Sequence, residues 1–289
     1  MGRIYEALQQ AERDRVNGAA ALEPLMAEAA AKAAGVATVE PAAAVMTALA
    51  HPAAGLDEGA SVAARPAPSA RACMWEASPG VAAEGFRRLA LELEAWQPGP
   101  RTARAVLITS ATEGAGKSTV ALNLAAALAR SGQRRVLLVE AAGYAPALAA
   151  WLGLGARPGL ADWLRSQEPI QRFCLRLVPW PLYLLPAGEG GWSLESLEAA
   201  PMCALLAQLR AELDWILLDG PAMLPVAEAM HWAQWADGVL LVARVGHSRR
   251  PELAEAWSRL APAKRLGWVL NQAGAADQWA RAEAANGGD

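Results

Sequence analysis

The chain has 289 residues and a mass of 30.3 kDa, a length that suits one large domain or two smaller ones. Its 26 Lys and Arg stand against 29 Asp and Glu, a formal charge of −3, which excludes a strongly basic nucleic-acid-binding protein and a strongly acidic solvating chain. Hydrophobic residues make up 54% and charged residues 19%, enough for a sizeable core, although much of that count is Ala, which buries little area.

Cys73, Cys174 and Cys203 are far apart in sequence. Such a set is neither a disulfide framework nor a metal-ligand cluster, and a reducing cytoplasm is the expected setting. The opening MGRIYEALQQAERDR is charged from Arg3 onward and has no apolar centre, so it does not read as a secretory signal. The sequence predicts no membrane span. The Ala-rich stretch from Pro41 to Leu56 comes nearest, and Pro41, His51 and Pro52 interrupt it.

Residues 1–16 predict a short amphipathic helix, with Ile4, Leu8 and Ala11 on one face. Either it frays or it docks on a partner. Residues 17–79 are rich in Ala, Pro, Gly and Glu and poor in bulky apolar side chains. They read as a linker, mostly disordered, because little buried surface is available to offset the entropy of ordering.

From about residue 80 the pattern changes. A helix is predicted over 82–96. Short apolar runs then predict strands at Ala105–Thr109, Arg135–Glu140, Leu182–Leu185, Trp215–Asp219, Gly238–Ala243 and Leu266–Leu270. Helical patterns fall between them at 117–130, 201–212, 225–235 and 250–260. Continuous apolar strands that alternate with helices imply an α/β fold whose mostly parallel sheet is covered on both faces. This domain is expected to run from 80 to 275, with a short tail over 276–289.

The most informative segment is AVLITSATEGAGKSTVALNL, from residue 105 onward. An aliphatic strand enters a Gly-rich loop, and an Ala/Leu helix leaves it at Gly116-Lys117-Ser118-Thr119. Gly114 and Gly116 permit torsions and close approach that a side chain would block. Backbone N–H groups from Glu113, Gly114, Ala115 and Gly116 into the helix start make a cradle for an anion, to which the helix dipole adds. Lys117 is placed to reach the outer phosphates, and Ser118 offers a hydroxyl to Mg²⁺. The chain uses only three Lys (Lys32, Lys117 and Lys264) against 23 Arg, and one of the three stands at the phosphate position. This is the signature of a P-loop, and it makes the expected architecture a three-layer P-loop NTPase. Ala111 replaces the usual first Gly.

Two acids belong to the same sheet edge. Asp219 ends the apolar run WILLD and fits a carboxylate beside Mg²⁺, or alternatively an ordinary turn residue. Glu140 ends VLLVE, where it could orient or deprotonate a nucleophile, or alternatively form a surface salt bridge.

Around these residues the chain resembles the bacterial tyrosine kinases of capsule and exopolysaccharide assembly, within the wider MinD/ParA-like group of P-loop ATPases. The matching segments, in order, are GRIYEALQQAE, SATEGAGKST, VLLVE, RPGLADWL, LYLLPAG, WILLDGPAMLPVAEA, WADGVLLVARVG and GWVLN. The resemblance implies ATP and Mg²⁺ as cofactors, with Lys117, Ser118 and Thr119 in the nucleotide loop and Asp219 as the Walker B acid. It implies an adenine contact for Asn271, whose amide offers one donor and one acceptor; without the family, Asn271 reads equally as a strand-end turn residue. It also implies a membrane polysaccharide co-polymerase or chain-length regulator as partner, a cytoplasmic protein recruited to the inner membrane face through it, and homo-oligomers through Glu84 and Arg87.

Departures from the family pattern temper these expectations. The second acidic motif, Asp-x-Asp followed by Arg in the family, reads Glu140-Ala141-Ala142 here, with Tyr144 where Arg is expected. The tyrosines are Tyr5, Tyr144 and Tyr183, and none falls in 272–289, where family members carry the tyrosines they phosphorylate. Ala90 replaces the last Arg of the family's oligomerising Glu-x-x-Arg-x-x-Arg. Thr112 stands where MinD and ParA proteins carry a Lys that reaches a second subunit. Three functions follow as expectations: a kinase-like enzyme with weak phosphoryl transfer or ATP hydrolysis, a non-catalytic nucleotide-binding regulator, or a MinD/ParA-like positioning ATPase, which Thr112 disfavours.

Overall fold

The computed structural model describes residues 55–58, 60–64, 70–75, 80–96, 104–130, 132–143, 146–197 and 199–272. All of them lie in the compact unit His51–Asp289. The helix expected over 1–16, most of the expected linker, the tail over 276–289 and Tyr144 lie outside the described residues.

Eight strands form one sheet: β1 (Ala60–Ala63), β2 (Arg104–Ser110), β3 (Val136–Glu140), β4 (Leu175–Val178), β5 (Leu182–Leu185), β6 (Trp215–Asp219), β7 (Gly238–Arg244) and β8 (Arg265–Asn271). Their spatial order is β1-β4-β5-β3-β6-β2-β7-β8. From β5 to β8 every neighbouring pair is parallel, and β4 runs antiparallel to β5 with β1 parallel beside it. The helices are α1 (Val81–Ala95), α2 (Lys117–Ala129), α3 (Leu148–Trp151), α4 (Leu160–Ser166), α5 (Ala199–Glu212), α6 (Glu228–Trp235) and α7 (Arg250–Arg259).

The pleat explains why the central strands are apolar throughout. Successive side chains point to opposite faces, and both faces are covered. In β6, Ile216 and Leu218 pack under α4, α5, α6 and α7, while Trp215 and Leu217 join the other core with α1, α2 and α3. Gly238 opens β7 because a Cβ there would come within 2.5 Å of the Leu266 side chain on β8. Lys264 secures the same edge. Its ammonium donates to the carbonyls of Ala233 and Ala236 at 3.0 and 2.9 Å, and also to that of Gln234, so it caps the C-terminus of α6.

All six predicted strands form, within a residue at either end. The start of the ordered unit differs from expectation. Within the stretch read as linker, Leu56, Cys73 and Met74 are buried, and Ala60–Ala63 adds the edge strand β1. Asn123, buried in α2, takes the Met74 N–H at 3.0 Å and the Cys73 thiol at 3.3 Å on its Oδ1. Arg130 holds the Met74 carbonyl at 2.8 Å. Leu56 N–H donates to Glu212 at 2.9 Å, and the Tyr183 hydroxyl donates to Asp57. A few bulky side chains and fixed polar partners are thus enough to order short pieces of a segment whose average composition predicts none.

No helix of the described residues is long and apolar enough to cross a membrane.

Candidate functional site

The site gathers where β2, β3, β6 and β7 end together. The loop from β2 to α2 carries positive φ at Gly114 (+77°) and Gly116 (+91°), and Gly116 is the N-cap of α2. A Cβ at Gly116 would stand 2.0 Å from the Asn271 amide nitrogen, so both conformation and space require glycine there. The backbone of the neighbouring strand ends braces the loop. The Thr109 hydroxyl donates to the Pro221 carbonyl at 2.6 Å, Ser110 to Thr112 O at 2.5 Å, and Met223 N–H to Ser110 O at 2.8 Å.

Parallel register brings the two predicted acids side by side: Glu140 on β3 pairs with Asp219 on β6, and Asp219 pairs with Ile108 on β2. Both acids are about 1% exposed. Their surroundings separate them. Asp219 accepts a hydrogen bond from the Ser118 side chain, while its Oδ1 is buried with no hydrogen-bond partner. Burial pushes its carboxyl up to about 7; the Ser118 hydrogen bond and the Lys117 charge pull it down, and the Glu140 charge pushes it further up. Lys117 is its counterpart: burial draws the ammonium below its ordinary value, against the opposing pull of Asp219 and Glu113.

Glu140, by contrast, is fully engaged. Oε1 accepts the N–H groups of Ala147 and Leu148 at 2.5 and 2.7 Å, and Oε2 accepts that of Ala187 at 3.1 Å. The carboxylate ties the start of α3 and the end of β5 to the sheet. It is not the surface salt bridge that the sequence left open, because the carboxylate is buried and its partners are backbone amides. Ala142, two residues on, is partly buried and carries no acid.

Asn271 lies against the loop. Its Nδ2 donates to Ala115 O at 3.0 Å, and its Oδ1 accepts Gln272 N–H at 2.9 Å, so both ends of the amide expected to read a base are used locally. Thr119 gives its carbonyl to Asn123 Nδ2 at 2.8 Å, which links the nucleotide loop to the buried Asn below it. Two loop contacts escape the sequence reading altogether. His247 Nε2 lies 2.8 Å from Glu113 O, and Arg244 Nη1 donates to Gly114 O at 3.2 Å. Their targets are carbonyls more than a hundred residues away in the chain, and no local pattern announces such contacts.

A buried, unpartnered carboxylate oxygen beside a hydroxyl and an ammonium suits a hard cation held between protein and phosphate. Among the described residues no group of three or more His, Cys, Asp or Glu could hold a metal by itself. The residues present fit Mg²⁺ with a polyphosphate; Ser118 and Asp219 are the side chains that could hold it.

Strand, glycine loop, capped helix and Walker-type acid together define a P-loop nucleotide-binding domain of the α/β class. The model of the CobQ/CobB/MinD/ParA nucleotide-binding domain matches residues 106–283, well over half of the chain, and the chain belongs to that family. It is 32% identical over 174 residues to the tyrosine-protein kinase YwqD of Bacillus subtilis, a match covering 59% of this chain and 73% of that one. It is 31% identical over 206 residues to the succinoglycan biosynthesis transport protein ExoP of Rhizobium meliloti, covering 66% of this chain and 25% of ExoP. The larger relatives of this kind are spanned over only about a fifth to a quarter of their length. Among solved structures, the VpsO kinase domain superposes with a TM-score of 0.61 at 29% identity, covering 67% of this chain and 95% of that one. The chain is thus a kinase-like P-loop domain similar to those of exopolysaccharide biosynthesis proteins.

Proposed function

We propose that the chain binds ATP with Mg²⁺ and serves exopolysaccharide or capsule biosynthesis mainly through its nucleotide-dependent state, with phosphoryl transfer or ATP hydrolysis weak. The observation that carries this reading is the contrast between the two acids. Asp219 keeps one buried oxygen without a hydrogen-bond partner on a carboxylate that Ser118 bonds and the Lys117 charge acts on, which supports metal and nucleotide binding. Glu140 spends both oxygens on three backbone N–H groups, which commits the carboxylate to holding the chain rather than a hydroxyl nucleophile. Bound Mg²⁺ would neutralise phosphate charge and orient the terminal phosphate. Lys117 and the loop amides would hold the phosphates, and Glu140 would keep the β3 end in place beside them.

The regulatory reading gains from the same geometry. A site that binds tightly and turns over slowly can bias two conformations by differential affinity. Its partner would be a membrane polysaccharide co-polymerase or chain-length regulator, reached at the inner membrane face. Homo-oligomers through Glu84 and Arg87 have less to stand on. Those two side chains pair with each other at 2.8 Å on the solvent face of α1, whose other face buries Ala90 in the core it shares with α2. Asn271 as an adenine contact would have to use the second N–H and the second lone pair of an amide already held by Ala115 and Gln272.

Turnover and phosphotyrosine measurements test this reading. The unaltered chain is expected to bind Mg-ATP and hydrolyse it slowly. Ala142→Asp, which returns a carboxylate two residues from Glu140 without disturbing its three N–H bonds, is expected to raise turnover by roughly tenfold or more. Fast phosphotyrosine formation by the unaltered chain, lost in Lys117→Ala, would contradict weak transfer.

A further inference from the structure

Three consecutive carbonyls of the phosphate loop are each held by a different side chain from the ends of β7 and β8. His247 takes Glu113 O, Arg244 takes Gly114 O and Asn271 takes Ala115 O. The turn that presents the first two is itself closed. Ser248 N–H and His247 N–H donate to Arg244 O at 3.0 and 3.2 Å, Ser248 Oγ accepts Arg244 N–H at 3.0 Å, and Val245 N–H reaches Asn271 O at 3.2 Å. Arg244 Nε also donates to Gln272 Oε1 at 2.7 Å, which fixes the guanidinium between the two strand ends.

In a trans peptide the carbonyl and the N–H that follows it point in opposite directions. Drawing the carbonyls of 113, 114 and 115 toward β7 and β8 therefore turns the N–H groups of Gly114, Ala115 and Gly116 the other way. No described group takes those three N–H groups. Such a row of unpaired N–H donors suits an anion.

We propose that Arg244 and His247, with Asn271, are positioning residues that hold the phosphate loop in its anion-binding form before nucleotide arrives. This rests on the nucleotide reading and extends it to residues that contact neither phosphate nor metal. The His247 ring lies over Gly114, where a Cβ would come within 3.1 Å of Nε2. The planar Arg244 fork holds two targets in a fixed relative geometry, Gly114 O through Nη1 and Gln272 Oε1 through Nε. Without the clasp, a loop with positive φ at two glycines would sample other conformations, and nucleotide binding would have to select the competent one.

The experiment compares the full chain with Arg244→Ala, His247→Ala, His247→Gln and the double alanine variant, using two readouts. Calorimetry with Mg-ATP is expected to show about a tenfold loss of affinity for each single alanine and a larger loss for the pair, with His247→Gln near the unaltered chain because its amide still donates. Backbone ¹⁵N order parameters in the nucleotide-free protein are expected to fall at Gly114, Ala115 and Gly116 in the alanine variants, with melting temperatures little changed. Unchanged order parameters and unchanged affinity would overturn the clasp while leaving nucleotide binding intact, and so would a Gln variant as weak as the alanine one. If the unaltered chain takes up no nucleotide, the nucleotide reading fails, and a fall in the order parameters would still support the clasp.

Discussion

Gly116→Ala is expected to abolish measurable nucleotide binding, with a loss of affinity on the order of a hundredfold or more. Two costs coincide. A side chain at φ +91° is strained by roughly 1–3 kcal/mol. The new methyl would also lie 2.0 Å from the Asn271 amide nitrogen, so either Asn271 releases Ala115 or the loop shifts off the start of α2. Gly132→Ala supplies the control. It sits at φ +73° past the end of α2 with no atom within 4 Å of the new Cβ, so it carries backbone strain alone. It is expected to lower the melting temperature slightly and to leave affinity unchanged. Equal binding losses in both variants would show that the Gly116 effect is general strain rather than geometry at the site.

Asp219→Asn is expected to have opposite effects on stability and on magnesium. The carboxyl lies at about 7 in the folded chain because of burial, against an ordinary value of 3.8. Between those two values the folded state holds a proton that the unfolded state has released, so this group makes the fold less stable as pH rises from about 4 through 7. Above 7 the full cost of a buried charge is present. Asparagine removes it, and at pH 8 the metal-free variant should gain on the order of 2–4 kcal/mol, read as a higher melting temperature. The same change removes the anionic oxygen that would face Mg²⁺, so magnesium should no longer strengthen ATP binding. In the unaltered chain, magnesium-dependent affinity should weaken as pH falls below 7 and protons compete for the same oxygen. A variant less stable at pH 8 that still responds to magnesium would contradict both arguments.

The sequence made the central sheet and the loop legible for a physical reason. Strands buried on both faces are continuous apolar runs, and the phosphate loop is local chemistry written in consecutive residues. Strand β4 is not legible because Arg176 breaks its short run and Pro179 and Pro181 flank the turn to β5. Strand β1 is not legible because three of its four residues are exposed on a sheet edge, and an edge needs no apolar pattern. Helix α4 has seven residues, too few to show a period. The position of Glu140 followed from parallel topology, but its partners did not. Three amides from residues 147, 148 and 187 meet it only after two separate connections fold back. His247 and Arg244 were invisible for the same reason, since both grip backbone atoms across long stretches of chain.

Titration calorimetry of the purified chain with ATP, with and without magnesium, bears most directly on the central claim that the loop around Lys117 holds a triphosphate. The account predicts saturable, magnesium-strengthened binding that Lys117→Ala eliminates while its melting temperature stays within a few degrees of the unaltered chain. No binding by the folded chain, or equal binding by the alanine variant, would contradict it.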